Sequence, residues 1–278
     1  MIPNREALTS GDLDSYFDRV LYSGDCQANY QVLETLHLAH ASHIPFENLD
    51  ILLGRRIHLD LESLLAKLVR SRRGGYCFEQ NLLFAAVLEQ LGFQVTRLAA
   101  RVRRGASRLL PRTHMLLKVD LDGVPWLADV GFGGEGLLKP LPLISGQVTR
   151  QYLWSYRVIE ETGLWVLQSL LGDVWQDLYA FTVERQFLVD YEMANHYVST
   201  FPASRFVQTL TVQLPTPGAR YLLQGCEYQV LRGSVTESRM IKDDNLLQTL
   251  AESFGLKFPA GTRFRSQVPR LERLLGTD

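Results

Sequence analysis

Cysteine is scarce in this chain of 278 residues, and its three thiols, Cys26, Cys77 and Cys226, lie far apart with no C-x-x-C spacing. Such spacing supports neither a disulfide framework nor a zinc knuckle. An excess of one charge is also lacking, because 29 Lys and Arg residues stand against 30 Asp and Glu residues. The chain therefore has no general electrostatic preference for nucleic acid or an anionic membrane, and any anion-binding site must be local.

Long apolar runs are missing as well. No segment continues for about eighteen residues without charges or turn signals, the length that a membrane-spanning helix needs. The first residues, MIPNREALTSGDLDSYF, contain no basic region followed by an apolar one. We therefore expect a cytoplasmic protein with neither membrane nor nucleic acid as a partner. A hydrophobic content of 46% is that of a globular protein with a sizeable core.

Hydrophobic spacing divides the chain into three parts. Helical spacing predicts helices over 13–21, 32–43, 61–69 behind an Asp60 cap, and 77–91. Alternating, β-branched segments from about residue 94 to residue 181 predict an antiparallel sheet or small barrel, with tight turns at Asp122-Gly123 and Thr162-Gly163. A short helix over 182–195 then leads to three strand-like segments and two final helices, over 205–214, 220–233, 234–241, 244–254 and 268–275.

One cysteine follows a glycine pair in RRGGYCFEQN, residues 72–81. The segment 77–93 is apolar around most of its helical circumference, which predicts a buried helix. Gly74 and Gly75 permit a close backbone approach just before it. Cys77 would then occupy the first turn, where unpaired N–H groups and the helix dipole favour a thiolate. The alternative is a small buried core residue, a common position for cysteine.

Six histidines are available as a base for that thiol. His37, His40 and His43 have three-residue spacing on the second predicted helix, but no carboxylate has matching spacing. We interpret them as ordinary helix-surface histidines and not as a metal face. His114 is different, because it begins the apolar strand THMLLKV.

The Asp122-Gly123 turn connects that strand to WLADV, which ends with Asp129. His114 is about eight residues before the turn and Asp129 about seven after it, so antiparallel pairing brings the two together. A cysteine facing a histidine whose other nitrogen is held by a carboxylate is an arrangement used in covalent catalysis. The alternatives are that His114 is a strand residue whose polar atoms are hydrogen-bonded without a catalytic role, and that Asp129 has a structural role.

The segment GFGGEG, residues 131–136, formally matches the G-x-G-x-x-G dinucleotide fingerprint. Pro140 and Pro142 follow, and they exclude the helix whose N-terminus would hold a pyrophosphate. We therefore reject a dinucleotide-binding fold. A glycine-rich turn beside Asp129 still suits the close passage of a substrate or an extended cofactor.

Four blocks in this order, IPFENLDILL, RRGGYCFEQN, PRTHMLLKV and WLADVGFGG, resemble the signature blocks of the arylamine N-acetyltransferases. The resemblance covers most of the chain and is most specific over 44–134. It implies an α+β fold with a cysteine-protease-like core in three domains. These are an N-terminal helical bundle with the nucleophilic cysteine, a central antiparallel β-barrel with the histidine and aspartate, and a C-terminal α/β lid, over 1–93, 94–200 and 201–278.

The resemblance also implies a ping-pong reaction without a metal. Cys77 takes the acetyl group of acetyl-coenzyme A and passes it to the nitrogen of an arylamine or arylhydrazine, or to the oxygen of an arylhydroxylamine. The catalytic triad implied by the family pattern is Cys77, His114 and Asp129. The backbone N–H of Cys77 is our first candidate donor for the transient oxyanion.

Further site residues follow from the same resemblance. It implies an acceptor pocket lined by Phe46, Phe132 and Phe201, while core packing is the alternative for each of them alone. It also suggests a structural ion pair between Glu47 and Arg73. The glycine turn would admit the pantetheine arm of coenzyme A beside Gly131, Gly133 and Gly134. The nearby basic residues either meet its phosphates or form a solvated face, and they are Arg101, Arg103 and Arg104.

Two other functions use the same residues. A hydrolase of the cysteine-peptidase or transglutaminase type would need the same triad, and a binding protein for small aromatic molecules would carry an inert thiol. The flanking motifs favour acyl transfer. The segment after Pro202 matches no motif, so the sequence gives little information on acceptor choice.

Overall fold

The structure is a computed structural model that describes residues 7–265. Helices dominate its first third, with one short strand among them. They are α1 (Ser10–Val20), α2 (Tyr30–His43), β1 (Phe46–Glu47), α3 (Leu49–Leu52), α4 (Leu61–Leu64) and α5 (Cys77–Gln90). A π-helical segment, Leu65–Arg70, directly continues α4. The four helices predicted for this region are present, while the predicted helix over 268–275 lies outside the described residues.

Polar side chains cap the start of three of these helices, and Thr9 does so for α1 by accepting a hydrogen bond from the N–H of Asp12 at 3.2 Å. Asn29 accepts a hydrogen bond from the backbone N–H of Val32 at 2.9 Å. Asp60 accepts one from Ser63 at 3.0 Å, so the predicted Asp60 cap is confirmed. Helix α5 exposes little of its surface, because 11 of its 14 residues are buried. Its apolar side chains form the centre of the helical core, and each contributes about 1.5–3 kcal/mol through burial.

The middle of the chain forms an antiparallel β-barrel. Its strands are β2 (Gln94–Val102), β3 (His114–Leu121), β4 (Val124–Ala128), β5 (Leu141–Pro142), β6 (Thr149–Gln151), β7 (Trp154–Glu161), β8 (Leu164–Leu171) and β9 (Val174–Phe181). They lie in the order β5-β4-β3-β2-β9-β8-β7-β6. A bridge between Ser145, three residues after β5, and Val158 links the β5 end of the sheet to β7, the strand next to the other edge.

Both predicted tight turns are confirmed. Asp122 and Gly123 have φ angles of 50° and 75°, and Thr162 and Gly163 have angles of 46° and 82°. Positive φ at both central residues is the backbone of a two-residue hairpin turn that matches strand twist. The first turn pairs Leu121 with Val124, and it thereby sets the register between β3 and β4.

The last third contains a smaller sheet and three helices. They are α6 (Leu188–Thr200), α7 (Arg205–Gln208), β10 (Thr211–Pro215), β11 (Arg220–Gln224), β12 (Glu227–Arg232), β13 (Val235–Met240) and α8 (Leu246–Phe254). The sheet order is β1-β10-β11-β12-β13, so β1 of the helical part forms its edge. This pairing ties the loop before α5 to the C-terminal sheet.

Some predicted boundaries in this part are wrong. The predicted strand over 205–214 begins with the helix α7, because the Ser204 side chain accepts a hydrogen bond from the N–H of Phe206 at 3.3 Å. Helix α6 begins at Leu188, six residues later than predicted. Helix α8 begins at Leu246 after a short 3-10 turn, Asp243–Asn245.

Three hydrophobic clusters correspond to the three parts of the fold. One lies among the helices, one inside the barrel and one under the small sheet. The predicted α+β fold is therefore confirmed. The domain boundaries stay a prediction, and Tyr191 and Val198 of α6 pack into the helical cluster although the prediction assigns them to the barrel domain. Among residues 7–265, no helix combines the length and apolarity that crossing a bilayer requires.

Candidate active site

Two glycines allow the loop before Cys77 to pass close to neighbouring backbone. A Cβ atom on Gly74 would lie 2.1 Å from the carbonyl oxygen of Pro45, and one on Gly75 would lie 2.7 Å from Oε2 of Glu79. The N–H of Gly75 donates to the Pro45 carbonyl at 3.2 Å. Any larger residue would push this loop away, so the glycine pair fixes where α5 begins.

Cys77 is the first residue of α5 and is 4% exposed. Its thiol donates to the carbonyl oxygen of Thr113 at 3.6 Å. Thr113 immediately precedes β3, and the nearby Cys77 side chain contributes to the raised pKa of the next residue, His114. The start of a buried helix and the start of a barrel strand therefore meet at this sulfur.

His114 and Asp129 form a buried pair, with the imidazole Nε2 2.7 Å from Oδ2 of the carboxylate. The register pairs Leu117 with Ala128, so the two side chains are diagonal neighbours on one face of the sheet. Because Nε2 faces the carboxylate, Nδ1 is the nitrogen available to Cys77. Burial alone would lower the pKa of His114, but the charge and hydrogen bond of Asp129, followed by Cys77, raise this pKa to about 10.

The Asp129 carboxylate is held at both oxygens. Oδ1 accepts from the Asn81 amide at 3.0 Å and from the N–H of Gly131 at 2.9 Å. Oδ2 accepts from the Tyr179 hydroxyl at 2.9 Å in addition to His114. Burial would raise the pKa of Asp129, but His114 and these donors lower it below its usual value. The carboxylate thus stays ionised and fixes the orientation of the imidazole.

Sequence reasoning missed Asn81, Tyr179 and His37. Asn81 lies one helical turn after Cys77, which is a signal that the spacing could have provided. Tyr179 and His37 come from distant segments. No motif marks Tyr179, and the three-residue spacing that singled out His37 gave no sign of its contact with Asp129. Residues 7–265 contain no cluster of histidine, cysteine and carboxylate side chains suited to a metal ion.

The prediction that His37 and His40 lie on the helix surface is wrong. Both are 0% exposed. The Nε2 of His37 accepts from the N–H of Asp129 at 3.1 Å. Burial lowers the pKa of His37 to about 4, so a neutral ring makes this contact. The Nδ1 of His40 lies 2.9 Å from the Tyr16 hydroxyl, and these polar contacts permit burial of the two imidazoles.

The glycine turn lies between the start of α5 and strand β10. A Cβ atom on Gly131 would lie 2.8 Å from the Cα of Cys77. Gly133 has a φ of 89°, and a Cβ atom there would lie 2.1 Å from Oε1 of Gln213. The N–H of Gly134 donates to this same oxygen at 2.7 Å. Close packing thus accounts for these glycines, and their predicted contact with pantetheine stays a prediction.

The three predicted pocket aromatics lie in different surroundings. The Phe132 ring centroid is 5.1 Å from that of His114, in an edge-on contact. Phe46 is buried in β1. Phe201 follows α6, is 43% exposed and stacks on Tyr197 at 4.9 Å, not on the cysteine–histidine pair. The structure therefore brings Phe132 to the histidine, and the acceptor-binding roles of all three stay predictions.

A buried ionic network supports the loop before Cys77. Arg73 contacts Glu47 at 2.7 Å and Asp50 at 3.2 Å, so the predicted Glu47–Arg73 ion pair is confirmed. Lys67 contacts Asp50 at 2.9 Å and Glu79 at 2.7 Å. Burial raises the pKa of Glu79 to about 7 in spite of the nearby Lys67 charge. The network connects β1, α3, the π-helical segment and α5 around the nucleophile's loop.

Removing the charge of Arg73 is expected to destabilise the protein strongly. Arg73→Met leaves the carboxylate of Glu47, whose side chain is 0% exposed, without its counter-charge. We expect a loss of about 3–5 kcal/mol in the free energy of unfolding. The matched control is Arg70→Met, because its pair with Glu62 is 46% and 41% exposed, and it should change stability by at most about 1 kcal/mol. Urea unfolding of both variants measures the difference, and equal losses would contradict the bracing role.

Comparison with known proteins agrees with this geometry. The family model described as N-acetyltransferase matches residues 29–262. The arylamine N-acetyltransferase of Escherichia coli (strain K12) is 42% identical over 248 residues, which cover 88% of this chain and 88% of the relative. The chain belongs to the arylamine N-acetyltransferase family.

Solved structures of arylamine N-acetyltransferases have the same fold. That of the enzyme from M. tuberculosis aligns with a TM-score of 0.85 at 42% identity and covers 87% of this chain and 93% of that chain. That of Mycobacterium marinum arylamine N-acetyltransferase in complex with CoA aligns with a TM-score of 0.84 at 39% identity and covers 87% and 92%. The family resemblance of the four sequence blocks is therefore confirmed.

Proposed function

We propose that this chain transfers the acetyl group of acetyl-coenzyme A to an aromatic acceptor through an acetyl-Cys77 intermediate. The acceptor atom is the nitrogen of an arylamine or arylhydrazine, or the oxygen of an arylhydroxylamine. The observation that carries the proposal is the buried His114–Asp129 pair, 2.7 Å apart, beside the thiol at the start of α5. The names of the relatives support the donor and acceptor classes.

The first step acetylates Cys77. Before the donor binds, the proton of Cys77 is held on Nδ1 of His114, whose pKa is raised to about 10, and the thiolate of this ion pair attacks the carbonyl carbon of the donor thioester. The bond between that carbon and the coenzyme A sulfur then breaks, and the imidazolium returns the proton to the leaving thiolate. One thioester replaces another, so this step needs positioning more than driving force. Asp129 stabilises the imidazolium throughout.

The second step passes the acetyl group to the acceptor. The amine nitrogen attacks the carbonyl carbon of acetyl-Cys77, His114 takes the amine proton, and the Cys77 thiolate leaves. The edge of Phe132 lies beside the His114 ring and would hold an aromatic acceptor by apolar contact. The backbone N–H of Cys77, in the first turn of α5, is the proposed donor to the oxyanion in both steps.

A hydrolase is the second candidate, because a Cys–His–Asp arrangement also serves peptide or amide cleavage. The family match favours transfer to an amine. We place the activity in the cytoplasm, with the coenzyme A thioester and the aromatic acceptor as partners and without a metal, nucleic acid or membrane. The balance of 29 basic and 30 acidic residues supports this choice of partners.

The fate of the acetyl group tests the proposal. Mixing the protein with acetyl-coenzyme A alone should release about one equivalent of free coenzyme A per active site and then stop. Adding an arylamine should restart the release and produce the N-acetylated amine. A screen of amines, hydrazines and hydroxylamines then identifies the acceptor. Steady release without any acceptor would assign the site to a hydrolase, and no release at all would contradict a nucleophilic role for Cys77.

A further inference from the structure

Three arginines from separate parts of the fold gather beside the glycine turn. Arg104 follows β2 and forms an ion pair with Glu135, a residue of that turn. Arg220 of β11 donates to the Tyr156 hydroxyl of the barrel. The Tyr156 hydroxyl also donates to the backbone carbonyl of Glu135 at 3.2 Å, so Arg104 and Arg220 both lie beside Glu135. Burial lowers the pKa values of Arg205 and Arg220, and the nearby charge of Arg104 lowers both further.

Arg104, Arg205 and Arg220 form a cluster of positive charge, and Glu135 is the carboxylate beside it. Its ion pair uses Nε of Arg104, which leaves the two terminal nitrogens of that guanidinium for another anion. Within residues 7–265, Arg205 forms no ion pair with a carboxylate, and its guanidinium lies 5.8 Å from the Phe206 ring. Three positive charges against one negative charge leave an excess of two, so the cluster attracts an anion.

Arg220 gives an independent sign of a missing partner. It is 3% exposed, and its guanidinium stacks on the Trp154 ring at 4.0 Å. Its Nε is buried and lacks a hydrogen-bond partner in the described part of the chain. A buried guanidinium N–H without an acceptor costs free energy. An anionic ligand between the barrel and the small sheet would supply the acceptor.

The cluster lies near the reactive sulfur. Glu135 is three residues from Phe132, whose ring is 5.1 Å from that of His114. Phe206 follows Arg205 in sequence, and its ring centroid is 5.7 Å from that of Tyr76. Tyr76 immediately precedes Cys77. Arg104 and Arg220 therefore lie beside the turn that adjoins the proposed acetylation site, and Arg205 lies next to an aromatic ring that contacts Tyr76. A long thioester donor that reaches Cys77 could extend past them.

We propose that Arg104, Arg205 and Arg220 form a binding site for the diphosphate of the coenzyme A donor, an inference that rests on the proposed function. Guanidinium groups bind phosphate oxygens through paired N–H donors. The basic residues singled out from the sequence fit this role only in part. Arg103 is occupied by Glu161 and Asp177 at 2.8 and 3.0 Å.

Kinetics with two acetyl donors test the site. The double variant Arg104→Gln/Arg205→Gln should raise the KM for acetyl-coenzyme A by about tenfold to a hundredfold, with little change in kcat. The reason is that the lost contacts bind the donor equally well in the ground state and in the transition state. Transfer from p-nitrophenyl acetate, which carries no phosphate, should be unchanged. Neither residue belongs to any of the three hydrophobic clusters, so both substitutions leave the core intact. The control is Arg239→Gln, an exposed position on the outermost strand β13. It should alter the KM neither for acetyl-coenzyme A nor for p-nitrophenyl acetate.

Binding of coenzyme A and of dephospho-coenzyme A by calorimetry provides a reading without turnover. The double variant should weaken both ligands by the same factor, because both contain the diphosphate. A loss confined to coenzyme A would overturn the diphosphate assignment in favour of the 3′-phosphate. Unchanged binding of both ligands, or a KM effect confined to acceptors that carry a carboxylate, would overturn the site itself.

The two proposals fail in different ways. If the wild-type protein transfers acetyl from neither donor, the proposed function fails, while calorimetry with coenzyme A still tests the arginines. If transfer from p-nitrophenyl acetate and from acetyl-coenzyme A falls equally in the double variant, a phosphate-binding role is overturned, because the substitutions have then disturbed the reacting centre itself.

Discussion

Cys77→Ser is expected to abolish acetyl transfer and leave the fold intact. A serine hydroxyl is far less ionised than a cysteine thiol beside the same base, so the acetyl-enzyme does not form. Loss of a nucleophile of this kind lowers kcat by about 10⁴-fold or more. The side chain is small and lies at the first turn of α5, so stability should change by only about 1 kcal/mol. Product formation with acetyl-coenzyme A and an arylamine measures the effect.

Cys26→Ser is the matched control. Cys26 is an exposed free cysteine, and its replacement should leave turnover unchanged. Circular dichroism and thermal unfolding establish that both variants are folded. Substantial transfer by Cys77→Ser would assign the acetyl acceptor to another group and would contradict the proposed mechanism.

Asp129→Asn is expected to have the second largest effect. The charge of Asp129 is the largest of the causes that raise the pKa of His114 to about 10. Without that charge, burial lowers this pKa, and the imidazolium beside the thiolate is lost. The amide also fails to fix the imidazole tautomer. We expect kcat to fall by about 10⁴-fold, as in other enzymes that use a carboxylate to orient a catalytic histidine.

The measurement is kcat together with the rate of Cys77 alkylation at a fixed neutral pH. Alkylation of Cys77 should be slower in Asp129→Asn than in the wild-type protein, because the imidazolium that accompanies a reactive thiolate is lost. Asp120→Asn is the control, since Asp120 is exposed on the neighbouring strand β3 and pairs with Lys118 at 2.5 Å. Equal kcat values for Asp129→Asn and the wild-type protein would show that the carboxylate does not orient the base.

Local sequence patterns were sufficient to predict the histidine–aspartate pair and the buried helix that begins at Cys77. The Asp122-Gly123 turn fixes the register of β3 and β4, so the spacing alone predicts that His114 and Asp129 are neighbours. The apolar circumference of 77–93 predicts a buried helix, and the glycines before it predict a close approach. Each of these features depends on residues that are near one another in sequence, and the hairpin converts sequence spacing directly into distance.

The contacts that could not be predicted join distant segments. The Tyr179 hydroxyl and the Asp129 carboxylate are 50 residues apart in sequence, and His37 is 92 residues from Asp129. The first contact depends on the pairing of β2 with β9, which no turn signal specifies. Hydrophobic patterns also treat histidine as polar, so they place His37 and His40 at the surface, although specific hydrogen bonds allow both rings to be buried.

The most direct test of the account is the mass of the intact protein after mixing with acetyl-coenzyme A in the absence of an acceptor. The account predicts a single added acetyl group, mapped to Cys77 by peptide analysis, absent from Cys77→Ser and removed when an arylamine is added. An unmodified protein, or an acetyl group that maps to Cys26 or Cys226 and persists in the presence of the amine, would contradict it.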